Sequence, residues 1–323
     1  MENGHKTIDS VIRNFTSFHL FVKFGVVEDV DHHLTASQLC DRAFIAMADV
    51  RGAIGAGVGY YDDDLRYKQE IEQVVIESMN RGLDEHQFLV YYQPKHDVRS
   101  GSIAGAEALV RWEHPELGLV SPLTFISIFE KHGLITNLDL YVCEEVCREI
   151  RRCEDLDLPL VPISINISRL DFDDSELAEK IISLATKFGI DCSLLHVELT
   201  ETAYSEDPET VINALNKLRS AGFLVELDDF GSGYSSLASL NTIPLDILKL
   251  DGSMIRHAVK HDDFRVIQSA IQIAQLLGLE TVVEGVETEA EIDKLKEMGC
   301  DLIQGMFYSW PLRQEDFEGY LAR

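Results

Sequence analysis

From Leu65 onward the chain alternates between two hydrophobic rhythms. Short apolar runs of strand character occur at Phe88–Val98, Ala104–Trp112, Val161–Ile167, His196–Thr200, Phe223–Asp229, Ile247–Asp251, Thr281–Glu284 and Leu302–Tyr308. Between most of them lie helical patterns such as Asn137–Arg152, Ser175–Phe188, Pro208–Ala221 and Asp263–Leu277. Another precedes them all, from Tyr67 to Arg81, with Ile71, Val74, Val75 and Met79 at helical spacing. Eight strands mostly separated by helices over roughly 220 to 250 residues predict an α/β protein, a (β/α)8 TIM-like barrel. An open doubly wound sheet is the alternative, but it normally needs fewer repeats.

The residues before this rhythm differ in texture. Phe18–Val27 reads as a strand, a helix begins near Ser37, and the glycine-rich stretch Gly52–Gly59 reads as a turn before Tyr60-Tyr61-Asp62-Asp63-Asp64. One strand and one helix bury too little apolar area to fold alone. Residues 1–64 are therefore read as a short α+β remnant of a larger domain, and residues 65–323 as the barrel.

Charge narrows the function. The 323 residues hold 28 Lys+Arg against 56 Asp+Glu, a formal net charge of −28. So acidic a chain has no basic surface for a nucleic-acid polymer. It can still take a phosphate ligand if metal ions supply the positive charge. The longest weakly charged run, Ala43–Tyr61, is broken by Asp49, Arg51 and four glycines, so no membrane contact is expected. No signal peptide is visible. The six cysteines form no paired framework, and Cys143 with Cys147, one helical turn apart, lacks a matching Cys/His pair for zinc. Reduced thiols and a cytoplasmic location are the expectation, whatever further sensor or membrane domains a parent protein carries.

In a (β/α)8 barrel, reactive groups collect at the carboxyl ends of the strands. Here those ends carry a biased set: Glu107, Asn166, Glu198, the pair Asp228-Asp229, Lys249, Glu284 and Gln304. Any one of these has a plainer use: a solvated loop carboxylate, a salt-bridge partner, or for Asp228-Asp229 a helix N-cap. Recurrence on successive strands is what favours chemistry. Two carboxylates about 4 Å apart repel by roughly 4 kcal/mol at an effective dielectric of 20, so several together must protonate or hold cations. All-oxygen ligands favour hard divalent ions, and a two-metal site suits in-line phosphoryl displacement. Glu226 shares a strand face with Asp228 and points into the barrel. It is expected to be paired internally or to have a raised pKa.

The segment Ala106-Glu107-Ala108-Leu109-Val110-Arg111-Trp112 resembles the signature of the EAL family of cyclic di-GMP phosphodiesterases. Further blocks follow in the family's order: Gln93-Pro94, Ser164–Ser168, Glu198-Leu199-Thr200-Glu201, Asp228–Tyr234, Lys249-Leu250-Asp251, Glu284–Glu287, and Gln304-Gly305 with Pro311. The resemblance covers residues 65–323. The segment in front resembles the end of a GGDEF-like cyclase domain, but no Gly-Gly-Asp-Glu-Phe motif occurs, so no cyclase activity is implied.

The resemblance implies hydrolysis of cyclic di-GMP to linear pGpG with Mg²⁺ or Mn²⁺. Glu107, Asn166, Glu198, Asp228, Asp229 and Glu284 would bind two metal ions. Lys249 would orient or help activate the attacking water, and Gln304 would position water or substrate. Glu201 would hold the loop from Asp229 to Ser236, which would also help form a homodimer. Gln93 and Arg111 would contact substrate. Ser232 stands where the family more often has threonine, and Met306 where it has an aromatic. The competing reading is a non-hydrolytic cyclic di-GMP receptor; since every metal-ligand position and the lysine are filled, the sequence favours the enzyme.

Overall fold

The computed structural model describes residues 23–28, 30–50, 57–200, 203, 208–231, 240 and 242–323. They belong to two compact units, Met1–Ser78 and Met79–Arg323.

In the first unit, strands β1 (Lys23–Val26) and β2 (Gly57–Tyr60) pair in parallel around helix α1 (Ala36–Asp49). Thr35 and Gln38 start α1 with a capping box, each side chain serving the other's backbone N–H. The glycine-rich stretch read as a turn thus contributes a strand over its last residues, while residues 51–56 lie outside the described set, as do residues 18–22 of the first strand reading. The glycines have a packing reason. A Cβ at Gly25 would lie 1.6 Å from the Ala43 carbonyl oxygen, and one at Gly59 would lie 1.8 Å from that of Ala46. Without side chains there, α1 can lie directly on the strand pair. Helix α2 (Asp63–Asp84) follows.

The second unit is a closed barrel. Its strands are β3 (Phe88–Asp97), β4 (Ile103–His114), β6 (Ile163–Asn166), β7 (Leu195–Thr200), β8 (Leu224–Phe230), β9 (Ile247–Leu250), β10 (Glu280–Val283) and β11 (Leu302–Gln304). The ring runs β3-β11-β10-β9-β8-β7-β6-β4 and closes through β3–β4, with β5 (Gly118–Val120) appended to β4. Around it lie α3 (Pro122–Lys131), α4 (Ile135–Asp155), α5 (Leu177–Phe188), α6 (Pro208–Ala221), α7 (Gly252–His261), α8 (Arg265–Leu277), α9 (Glu289–Met298) and α10 (Gln314–Leu321). The fold predicted from the strand–helix rhythm is therefore the fold observed.

One strand departs from the (β/α)8 plan. β3 runs antiparallel to both neighbours, β4 and β11, whereas the other ring pairings are parallel. The cause is loop length. Only the turn from Val98 to Ser102 joins β3 to β4, and a parallel crossover needs a dozen or more residues. Gly101, at φ +73°, takes the left-handed position of that turn. Phe88 and Trp112, paired across the hairpin, stack at 4.5 Å and pack against Phe125 and Phe129 of α3.

Outside the barrel, α10 docks near α4 and buries Glu149, which is 1% exposed. Gln314 Nε2 donates to its carboxylate at 2.7 Å. Burial, and then the nearby Glu318, push Glu149 up to about 7. A carboxyl raised from its ordinary value near 4.5 binds more protons folded than unfolded. Stability should therefore fall as pH rises between those two values and level off above them. Glu149→Gln is expected to abolish that slope. The variant should match the parent near pH 4 and exceed it by about 1–2 kcal/mol at pH 8, a figure discounted because Glu149 lines a surface groove of about 500 Å³ shared with Tyr92 and Gln314. Urea unfolding at both pH values measures it, and equal stability at pH 8 would contradict it.

Among the described residues, no helix is long and apolar enough to cross a membrane.

Candidate active site

Lys249 is the hub of the barrel mouth. It is fully buried on β9, and its Nζ lies 2.7 Å from Glu284 Oε1, 3.0 Å from Asp228 Oδ1 and 3.3 Å from Glu107 Oε2. Glu198 Oε1 is also paired with it. These four carboxylates come from β4, β7, the inner face of β8 and the residue just past β10. Glu107 is fixed further: Asn166 Nδ2 donates to its Oε1 at 3.2 Å and Gln304 Nε2 to its Oε2 at 2.7 Å. Gln304 also donates to Gln93 Oε1 at 3.1 Å, and Gln93 Nε2 donates to the Ser309 carbonyl at 3.4 Å. Because β3 is inverted, Gln93 pairs directly with Glu107 across the hairpin. Eight residues read from the sequence thus converge: Gln93, Glu107, Asn166, Glu198, Asp228, Lys249, Glu284 and Gln304.

Four carboxylates around one ammonium leave an excess of negative charge. Burial, then Glu284, Glu107 and Asp229, push Asp228 up to about 9. Burial also raises Glu284 in spite of Lys249. At Glu107 burial acts the same way, but Lys249, Lys95 and the hydrogen bonds from Gln304 and Asn166 outweigh it and hold the carboxyl near 2. Both Glu198 oxygens and Asp228 Oδ1 are buried with no aligned hydrogen-bond donor, since Lys249 is within ion-pair reach but off donor geometry. Buried acceptors left in this condition are costly. One oxygen each from Glu107, Glu198 and Glu284 lies within 4.8 Å of the others. An all-oxygen donor set, mostly buried and with both Glu198 oxygens unsatisfied, fits a hard divalent cation. Cys143 and Cys147 are buried as free thiols and belong to no such group among the described residues.

The remaining described candidates, Asp229 and Arg111, lie outside the Lys249 ion pairs. Asp228 and Asp229 end a strand rather than cap a helix. The β8–β9 register shifts between Leu227 and Phe230, and Asp229 takes a left-handed φ of +57°. A bulge of this kind re-aims side chains, and it leaves Asp229 exposed on the wall of the adjoining cleft. That cleft has a volume of about 760 Å³ and is also lined by Arg111, whose guanidinium lies 5.6 Å from the Tyr91 ring centroid. Ser168 holds the chain after Asn166 on the same wall. Its N–H donates to Asp139 Oδ2 at 3.0 Å and Asp171 Oδ2 at 2.9 Å, and its hydroxyl donates to Glu130. Glu201, and Ser232 to Ser236 of the loop expected to adjoin the site, lie outside the described residues.

Beneath the hub is a polar layer that sequence reading found only in part. Glu226 is 1% exposed and paired internally, as one of the two expectations held. Lys95 Nζ lies 2.6 Å from its Oε2, and His196 Nδ1 lies 2.7 Å from its Oε1. Burial favours the neutral acid, but Lys95 and His196 keep its pKa below the ordinary value. Lys95 also donates to Ser164 Oγ at 2.9 Å. The signal for Lys95, Ser164 and His196 was available: each stands two residues from Gln93, Asn166 or Glu198, as Glu226 does from Asp228.

The sequence profile of the EAL domain matches residues 76–311. The cyclic di-GMP phosphodiesterase PA2567 of Pseudomonas aeruginosa is 33% identical over 304 residues, 94% of this chain and 52% of that protein. The bifunctional diguanylate cyclase/cyclic di-GMP phosphodiesterase MucR of the same organism is 31% identical over 289 residues, 89% of this chain and 42% of that protein. The chain therefore spans about half or less of these curated relatives. The solved PaMucR phosphodiesterase in complex with c-di-GMP superposes with a TM-score of 0.70 at 33% identity, covering 75% of this chain and 99% of that one. Profile, relatives and fold agree with the strand-end residues assembled above: the chain belongs to the EAL domain family.

Proposed function

We propose that this chain hydrolyses one phosphodiester bond of cyclic di-GMP, giving linear pGpG and so lowering the concentration of a bacterial second messenger. The observation that carries the reading is the Lys249 hub at the mouth of a barrel: four carboxylates around one ammonium, with both Glu198 oxygens and Asp228 Oδ1 buried without a hydrogen-bond donor. Relatives bearing the phosphodiesterase name support the substrate. Fold alone would not.

Glu107, Asn166, Glu198, Asp228, Asp229 and Glu284 are the groups that would hold divalent cations, Mg²⁺ or Mn²⁺. Such cations, when bound, supply Lewis acidity and acidify a coordinated water. Asn166 and Gln304 keep the Glu107 carboxylate turned toward the hub. Lys249 Nζ orients the attacking water and offsets negative charge developing on the phosphoryl oxygens. Arg111 and Gln93 contact the substrate from the cleft wall and the inverted strand. The water oxygen adds to phosphorus as the bond to the ribose 3′ oxygen breaks, and a proton given up by the water ends on that leaving oxygen.

The same reading takes residues 1–64 as akin to the end of a GGDEF-like domain without its cyclase motif, and residues 65–323 as the catalytic barrel. It pairs two barrels as a homodimer and places them in the cytoplasm. The test is incubation of the chain with cyclic di-GMP and Mg²⁺ or Mn²⁺, with and without chelator, followed by chromatography for pGpG. Metal-dependent product is expected. Saturable binding of cyclic di-GMP with no product in either metal would favour the non-hydrolytic receptor.

A further inference from the structure

The polar layer beneath the hub is not used by the reaction just described. It is asymmetric. Lys95 on β3, Ser164 on β6, His196 on β7 and Glu226 on β8 form its hydrogen-bonded half. Ile247 on β9, Val282 on β10 and Leu302 on β11, with Ala104, form a dry half. Lys95 is 3% exposed and reaches across the lumen to two strands at once. Glu226 is the carboxylate paired with it among the described residues. Both residues that the Lys95 Nζ contacts stand two positions below a hub residue on their strands, Ser164 below Asn166 and Glu226 below Asp228, so the ammonium lies one layer beneath the carboxylates. A buried lysine of this kind is more than a brace. It is a fixed positive charge under a site that would bind positive ions, in a medium where charges reach further than in water.

We propose that Lys95, held at a fixed depth by Glu226 and Ser164, is a positioning charge that sets how tightly the carboxylate hub holds divalent cations. The inference rests on the metal-binding reading above. Lys95 opposes the entry of a cation. Glu226 counters that opposition and keeps the ammonium from rising toward Glu107, where it would compete for the same oxygens. The two residues therefore act with opposite signs. Removing Glu226's charge strengthens the opposition, removing Lys95's charge relieves it, and removing both nearly cancels.

The experiment is Mn²⁺ binding to the full chain, by calorimetry or by the paramagnetic resonance of free Mn²⁺, with no substrate present. Variants are Glu226→Gln, Lys95→Met and the double Lys95→Met/Glu226→Gln, each checked for folding by far-UV circular dichroism. Glu226→Gln is expected to weaken binding about fivefold or more, Lys95→Met to tighten it by a similar factor, and the double to return within about twofold of the parent. Should Lys95→Met alone fail to fold, the double still decides. Recovery of affinity on adding the second substitution supports a charge effect, because a lost brace is not restored by removing its partner. Weaker binding in every variant, with none in the double recovered, overturns the proposal while leaving the metal site standing. No Mn²⁺ binding by the parent overturns the metal reading and this inference with it.

Discussion

Lys249→Met is expected to lower kcat for cyclic di-GMP by about three to four orders of magnitude. Lys249 is the ammonium at the centre of the hub. Its Nζ is within ion-pair reach of all four hub carboxylates and is wholly enclosed. Methionine fills much of the same volume but leaves those carboxylates without their ammonium. Removing one partner of a buried ion pair costs about 3–5 kcal/mol, reduced here to the extent that the carboxylates take up protons. The loss should appear as a lower melting temperature in chelator. Because a bound ion stabilises the state that binds it, saturating Mn²⁺ should recover more stability in the variant than in the parent. Initial rates and melting curves in both conditions measure the two effects. A variant retaining more than about a tenth of the parent's kcat would remove Lys249 from the proposed chemistry.

Gly305→Ala is expected to destabilise the barrel by about 3 kcal/mol and to reduce activity with it. An added Cβ would lie 2.1 Å from the Val286 carbonyl oxygen and 2.4 Å from the Val286 nitrogen. Both are backbone atoms, so no side chain can turn aside. The contact matters because the two segments are stitched together there. Val286 N–H donates to the Gln304 carbonyl at 3.2 Å and Phe307 N–H to the Val286 carbonyl at 3.1 Å. Forcing them apart displaces Glu284 on one side and Gln304 on the other, and Gln304 is what turns Glu107. Gly319 provides the contrast. A Cβ there meets nothing within 4 Å, and its helical position makes Gly319→Ala neutral or stabilising by up to about 1 kcal/mol. Chemical unfolding of both variants, with kcat, separates a local clash from a general effect of losing glycine.

Much of the hub was legible because strand alternation and barrel geometry are both periodic. Once Glu107, Glu198 and Asp228 are placed at strand ends, closure brings them together whatever the intervening helices do. Loop length was the information left unused. The short link between the first two strand-like runs dictates an antiparallel hairpin, and hence the position of Gln93 beside Glu107. Lys95 was passed over because a lysine inside an apolar run reads as a surface residue until its partner across the lumen is known. Glu226 was noticed, since it stood two residues from a candidate ligand, yet its partners lie on β3 and β7, far away in sequence. The role of Gly59 was misread because turn and close-packing uses of glycine leave the same local signature, and only the helix lying over it tells them apart.

The reversed course of β3 has a consequence for how the polypeptide meets the barrel. In a barrel of uniform strand direction the chain arrives at the floor, on the side away from catalysis. Here Phe88, the first residue of β3, is opposite Trp112, beyond Glu107 on the catalytic rim, so residues 79–87 deliver the chain to the mouth itself. The hairpin bearing Gln93 and Glu107 is therefore the first part of the barrel that the chain enters after residues 79–87.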